Sequence, residues 1–327
     1  MREEGTLGQL LLSGSHRKRK RRLYYVYLEA RNDRVLAHSA GMRQEKAFRH
    51  SWIRRTLTRG VMLWNRTTRG RSLRAECCRK KFAGLPAGYE GFRIVQITDL
   101  HGRIFGRKQS LLAQKVRALK PDLILITGDM MDEVYEERER TAVRDLYRRM
   151  AEIAPSYAIL GNHETRSVYL PEILADLRRS GVKLLRNESV ILSRGEDKIR
   201  LSGLETGMHS KLGKNTKEPE EIREILQGMY PEEPEGLFTI LMAHKPEHLH
   251  SYSRYKVDLI FSGHAHGGLV PLRFIRRGLL APGQGLFPKY VHGIYRENDT
   301  DMYVGRGLGG PRIGIAPEIV LMELHRA

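Results

Sequence analysis

A chain of 327 residues, 40% of them apolar, can bury one large core or two ordinary ones. Its two cysteines, Cys77 and Cys78, are adjacent and supply neither a disulfide framework nor a thiolate metal knot; no run of 18 apolar residues marks a membrane-spanning helix. The formal charge of +19 is lopsided, because residues 1–90 carry 22 Lys and Arg against 7 Asp and Glu, a net of +15, and the remainder only +4.

Residues 1–85 show no sustained period of two or 3.6 and no nucleic-acid motif. They read as a solvated, poorly ordered basic extension or a degenerate anchor. An anionic membrane surface is the peripheral partner such a tail would meet, and nucleic acid is not expected. From residue 91 short apolar runs alternate with amphipathic stretches, which is the α/β pattern. Residues 92–98 read as a buried strand, and Leu112, Val116 and Leu119 mark one helix face that Pro121 ends. A second strand follows at 123–127, then a helical stripe of Val143, Leu146, Tyr147, Met150 and Ile153, then a strand at 157–160. Pro171 and Gly181 bracket a further helix. Residues 190–192 and 199–202 form a hairpin around the turn at 194–197, and strands follow at 238–243 and 258–261. Runs at 291–295, 302–304 and 319–324 close the chain with β character.

Five times, a strand-like run ends and a candidate metal ligand follows at once: Asp99 and His101, Asp129, Asn162, His244, and then His264 and His266. Side chains beyond the carboxyl ends of strands in α/β sheets converge on one crevice. Gly128, Gly161 and Gly263 permit the tight turns that bring them there. Mixed imidazole and carboxylate ligation suits zinc, iron or manganese. Two divalent ions need a bridging carboxylate, and Asp129 is the natural one. Asp99, His101 and His266 then complete one ion, and Asn162, His244 and His264 the other. Ions about 3.5–4 Å apart lower the pKa of a shared water, and the hydroxide attacks phosphorus in line. His163 follows a ligand directly, so its ring points elsewhere and is placed to protonate the leaving oxygen; Asp132 is placed to hold that ring and favour its cation. Any one of these residues alone is an ordinary turn, surface or core residue. Their conjunction carries the chemistry.

Asp-Leu-His, Gly-Asp-Met-Met-Asp, Gly-Asn-His-Glu, His244 and Gly-His-Ala-His, in this order, resemble the signature of the calcineurin-like metallophosphoesterases over about residues 90–325. The resemblance implies a metallophosphoesterase domain over 90–327, with a four-layer αββα sandwich of two β-sheets flanked by helices. It also implies the ligand set above, with His163 near the leaving group and Asp132 in support. Gly-His-Ala-His-Gly-Gly, Gly-Leu-Phe-Pro-Lys-Tyr-Val-His-Gly-Ile-Tyr, Arg-Gly-Leu-Gly and Pro-Glu-Ile-Val resemble the YkuE/YaeI-like phosphodiesterase branch more closely. That branch implies a phosphodiester or pyrophosphate substrate, lipid-linked or a nucleotide-sugar lipid, in bacterial enzymes that are often anchored or exported. The chain departs from its pattern at Ala265, where threonine is common, at Leu269, where glutamine usually follows the two glycines, and in lacking the usual anchor. The compartment is left open between cytoplasm and membrane surface. Two alternatives stand beside this expectation: a phosphomonoesterase or protein phosphatase of the same fold, and a membrane-surface or nucleic-acid-binding protein acting through its basic tail.

Overall fold

The computed structural model describes residues 73–205, 218–230, 236–269, 271–272 and 277–327. Its strands are β1 (Arg74–Phe82), β2 (Phe92–Ile97), β3 (Leu123–Thr127), β4 (Ser156–Ile159), β5 (Lys183–Leu184), β6 (Glu188–Arg194), β7 (Asp197–Leu204), β8 (Phe238–Ala243), β9 (Leu259–Ser262), β10 (Pro271–Leu272), β11 (Arg277–Gly278), β12 (Leu280–Ala281), β13 (Gly285–Leu286), β14 (Gly293–Glu297), β15 (Thr300–Val304) and β16 (Glu318–Arg326). Its α-helices are α1 (Ser110–Ala118), α2 (Glu137–Ala151), α3 (Asn162–Arg166), α4 (Leu170–Ser180), α5 (Glu218–Met229) and α6 (Leu249–Tyr252). None of them is long and apolar enough to cross a membrane.

The strands form two six-stranded sheets, ordered β1-β16-β2-β3-β4-β5 and β14-β15-β9-β8-β7-β6. In the first, only the β16–β2 pair is antiparallel. In the second, β7, β8, β9 and β15 run parallel, and β6 and β14 join as antiparallel hairpin partners. The central strands are covered on both faces, which is why they read as continuous apolar runs rather than alternating ones. Ile94 and Leu125 of the first sheet meet Ile240 and Phe261 of the second in one inter-sheet core. On the outer face of the first sheet, Val95, Ile97, Ile124 and Ile126 pack with Leu112, Val116, Val143, Leu146, Ile173 and Leu177 from α1, α2 and α4. On the other side, Leu241, Ile260 and Met302 pack with Ile222 and Leu226 of α5 and Leu249 and Tyr252 of α6. The architecture is therefore the expected four-layer αββα sandwich.

Local chemistry sets the helix ends. Glu136 and Glu139 make a capping box at the start of α2, while Arg148 and Arg149 sit in its last turn against the negative end of the helix dipole. Pro171 lies in the first turn of α4, and Gly181 ends that helix at φ 85°. Gln96 is a polar residue in the inter-sheet layer. Its amide donates to Thr127 Oγ1 and to the Ser262 carbonyl, both at 2.9 Å, and so fastens the ends of β2, β3 and β9 together.

The extension differs from its expected boundary. Arg74–Phe82, placed by sequence in the irregular segment 1–85, is an edge strand pairing in parallel with β16 from Arg74 against Glu318 to Phe82 against Arg326. Its exposed positions carry Arg79 and Lys81, the charged edge that keeps an outer strand from pairing with another chain. The rest of the expected basic tail, residues 1–72, lies outside the described residues, as do His209, Arg273 and Arg276.

Ile240 is fully buried between the sheets. Ile240→Ala should lower unfolding free energy by about 2–5 kcal/mol, read from chemical denaturation of the metal-free protein. An unchanged midpoint would contradict the inter-sheet core.

Candidate metal centre

The parallel strands of both sheets end on the same side, and the loops that follow bond to one another. Asp99 N–H donates to the Gly128 carbonyl (3.0 Å), His101 N–H to the Asp129 carbonyl (3.1 Å), and Gly263 N–H to the His244 carbonyl (3.0 Å). The Asp99 carboxylate accepts the His264 N–H at 3.0–3.1 Å and so ties the two sheets together at this edge. Asp99, His101, Asp129, Asn162, His244, His264 and His266 are all buried. Asp99, His101 and His266 bring ligand atoms within 4.8 Å of one another, and so do Asp129, His244 and His264. A third group, His101, Asp132 and His163, meets the same distance, and Asp129 stands 3.1 Å from His244 Nε2.

Five buried atoms of this set make no hydrogen bond: His101 Nε2, Asp129 Oδ2, Asn162 Oδ1, His244 Nε2 and His264 Nδ1. Polar atoms shut away from water nearly always have partners, and a group of exceptions facing one another is explained by cations. The residues thus fit two divalent ions by type, burial and open valence. The backbone gives a second sign. Asp99, His101, Asp129, His264 and His266 all adopt left-handed conformations, with φ between 49° and 66°. Non-glycine residues are uncommon there, and such strain gathers at functional sites. Gly128 takes φ 92°, as a tight turn requires. Gly161 does not; its φ is −90°, and glycine is needed there because a Cβ would collide with the Asp129 carboxylate.

Burial penalises every charge in the crevice, and the neighbours decide the outcome. Burial alone would lower His101, but its bond to Asp132 and the nearby Asp129 and Asp99 push it up to about 9. Burial is likewise outweighed at His244, which Asp129 raises to about 10. Burial would raise Asp129, yet His244 and His163 bring it well below the usual carboxylate range. Burial holds His264 and His266 well below the ordinary imidazole value, so both are neutral and able to offer a lone pair.

His163 is the more open imidazole, its side chain about a third exposed. Its Nε2 lies 3.9 Å from Asp129 Oδ2, and its ring meets that of His101 edge to face at 5.0 Å. Asp132 differs from its expected place. Its short bond, 2.7 Å, goes to His101 Nδ1, and His163 Nδ1 is farther away at 3.5 Å. Nor is His163 held as a cation, since burial and the nearby His101 lower its pKa despite Asp129 and Asp132. The reason is geometric: the loop after β3 places Asp132 beneath the outward nitrogen of His101.

Glu164 was not singled out by sequence. Fully enclosed, it accepts the backbone N–H groups of Asp129 (3.0 Å), Gly161 (3.0 Å), Met131 (3.1 Å) and Met130. It therefore fixes the loop that carries Asp129 against the one that carries Asn162. Burial and Asp129 raise its pKa to about 7 against those bonds. The available signal was its position three residues after Gly161, the spacing of a capping box. Arg312 is a second buried charge, its Nη1 donating to the Gly307 carbonyl at 2.8 Å beside the loop whose Gly309 carbonyl faces His266. Ala265, one of the departures noted above, is fully buried in the helix-side core of the second sheet.

A buried carboxylate–imidazole–amide cluster at the joined strand ends of an αββα sandwich defines a metal-dependent hydrolase. The chain belongs to the calcineurin-like phosphoesterase family, whose profile matches residues 92–268, and it is thus a hydrolase of phosphoesters. It is 30% identical to the metallophosphoesterase YkuE of Bacillus subtilis (strain 168), over 73% of this chain and 81% of that one. It is 26% identical to the phosphodiesterase YaeI of Escherichia coli (strain K12), over 76% and 88%. It is 27% identical to the UDP-2,3-diacylglucosamine pyrophosphatase LpxG of Chlamydia trachomatis serovar D, over 75% and 85%.

Glu164→Ala would leave four buried N–H groups without their acceptor. At about 1–3 kcal/mol for each unmade bond, partly relieved by water, a loss of roughly 3–5 kcal/mol is expected in chemical denaturation. A loss below 1 kcal/mol would show that the carboxylate does not hold the loops.

Proposed function

We propose that the protein hydrolyses phosphodiesters or pyrophosphates with two divalent ions, manganese, zinc or iron. The observation that carries this reading is the set of five buried polar atoms without hydrogen bonds on Asp129, Asn162, His101, His244 and His264, of which Asp129 Oδ2 and His244 Nε2 lie 3.1 Å apart. Asp99, His101 and His266 would hold one ion and Asn162, His244 and His264 the other, with the Asp129 carboxylate available to both. When bound, such ions neutralise charge on phosphoryl oxygens and supply an activated water at neutral pH. Asp132 orients His101 through Nδ1, and Glu164 fixes the backbone that presents Asp129. His163 stands at the open side with Nε2 towards Asp129, where the negative charge of a bound phosphoester would favour its protonated form and let it donate to the leaving oxygen.

The substrate class leans on two supports. The relatives YaeI and LpxG are named a phosphodiesterase and a pyrophosphatase of a diacylated nucleotide sugar. In addition, the hairpin of β12 and β13 leaves Leu280, Leu286 and Phe287 exposed, the last two by 68% and 54%. Its turn at Gly283 approaches His264, so apolar surface stands beside the centre. A lipid-linked phosphoester presented at an anionic membrane surface suits that arrangement.

Purified protein loaded with Mn2+ should hydrolyse bis(p-nitrophenyl) phosphate faster than p-nitrophenyl phosphate. Asp129→Asn should reduce kcat/KM by at least 1000-fold, and His163→Ala by about 100- to 10,000-fold in kcat. Full activity in the Asp129 variant would sink the assignment, and a strong monoester preference would reverse the substrate class.

A further inference from the structure

Four of the candidate ligands are imidazoles, and three of these are arranged alike. His101, His244 and His266 turn Nδ1 outward to an oxygen: the Asp132 carboxylate at 2.7 Å, the Thr127 carbonyl at 2.7 Å and the Gly309 carbonyl at 3.3 Å. Their Nε2 atoms face inward, towards Asp99 from His101 and His266 and towards Asp129 from His244. His264 is reversed. Its Nδ1 is the buried nitrogen that makes no hydrogen bond, and its Nε2 lies 3.8 Å from Glu247 Oε1.

We propose that Glu247 is the positioning residue of His264. Its carboxylate holds the proton on Nε2 and so leaves the Nδ1 lone pair for an ion. Ligating histidines almost always donate their second ring nitrogen to an oxygen, which sets both the tautomer and the ring plane. Glu247 supplies that oxygen for the one imidazole whose orientation is inverted. At 3.8 Å the contact is longer than a hydrogen bond, so the carboxylate acts on the neutral ring by electrostatic attraction for the Nε2–H, and both side chains are largely buried, so solvent screens it little. This assignment rests on the two-ion reading above.

The placement is built by two separate segments. Glu247 sits on the short 3-10 turn Pro246–His248 directly after β8, three residues beyond His244. One strand end therefore delivers a ligand and the support of another. Gly283, at φ 73° in the turn between β12 and β13, closes over the pair. A Cβ at that position would collide with Glu247 Oε1 and would stand 3.3 Å from His264 Nε2. Glycine at 283 thus leaves the space in which the carboxylate rests.

The test is calorimetric titration of the metal-free full chain with Mn2+, with far-UV circular dichroism as the check of folding. Wild type should take two ions. Glu247→Ala should weaken one of them by about 10- to 100-fold and leave the other within about twofold. Gly283→Ala, which displaces the carboxylate without removing it, should reproduce that selective loss. Glu247→Gln, which keeps the shape and one oxygen acceptor, should recover most of the affinity. A merely structural role would lower the melting temperature without selecting one ion. Two ions at wild-type affinity in Glu247→Ala, or equal weakening of both, would overturn the assignment. Wild type taking fewer than two ions would overturn the two-ion reading itself, and this inference with it.

Discussion

Two aspartates, Asp99 and Asp129, lie with no exposure to solvent among four imidazoles, and nearly everything else at this end of the molecule follows from that burial. Charge taken out of water must be paired, hydrogen-bonded or neutralised. Asp99 is partly satisfied by the His264 N–H and by Thr98 Oγ1 at 2.8 Å. Asp129 Oδ1 accepts the His163 N–H at 2.9 Å, but its Oδ2 makes no hydrogen bond. The close neighbours of that oxygen are imidazoles, His244 Nε2 at 3.1 Å and His163 Nε2 at 3.9 Å, and the left-handed backbone at five of the seven candidate ligands is kept because the surrounding loops over-determine it.

The scaffold makes such a site affordable. Both sheets send parallel strands to one edge, and each strand end contributes a loop. Gln96 and the Asp99 carboxylate bond the loops across the sandwich, and Glu164 joins two neighbouring loops of the first sheet. Gln96 and Glu164 hold ligand-bearing backbone in place from behind the candidate ligands, which is how surrounding groups determine the geometry of a metal site. The two halves also differ. The loops of the first sheet supply Asp99, Asp129, Asn162 and one imidazole, His101, whereas those of the second supply His244, His264 and His266.

Much of this was legible in sequence. A strand buried on both faces gives an unbroken apolar run, and the residue just beyond it is forced to the sheet edge, so the position of Asp129 after residues 123–127 already implied its place in the fold. What sequence could not give was the partner of each side chain. Asp132 lies close to both His101 and His163, and only the course of the loop shows that the short bond goes to His101. Glu164 and Glu247 are invisible for a related reason: their work is done through backbone N–H groups or through another ligand, which leaves no spacing rule to read. β1 was missed because an edge strand needs few apolar residues, and α5 because Ile222 and Leu226 are its only fully buried apolar contacts with the core.

The most direct measurement is electron paramagnetic resonance of the protein loaded with Mn2+. Two ions held about 3.5–4 Å apart by these residues would be magnetically coupled. The expected spectrum is the multiline signal of a coupled pair, with two ions per chain. An isolated six-line signal from a single ion per chain would contradict a dinuclear centre at these strand ends.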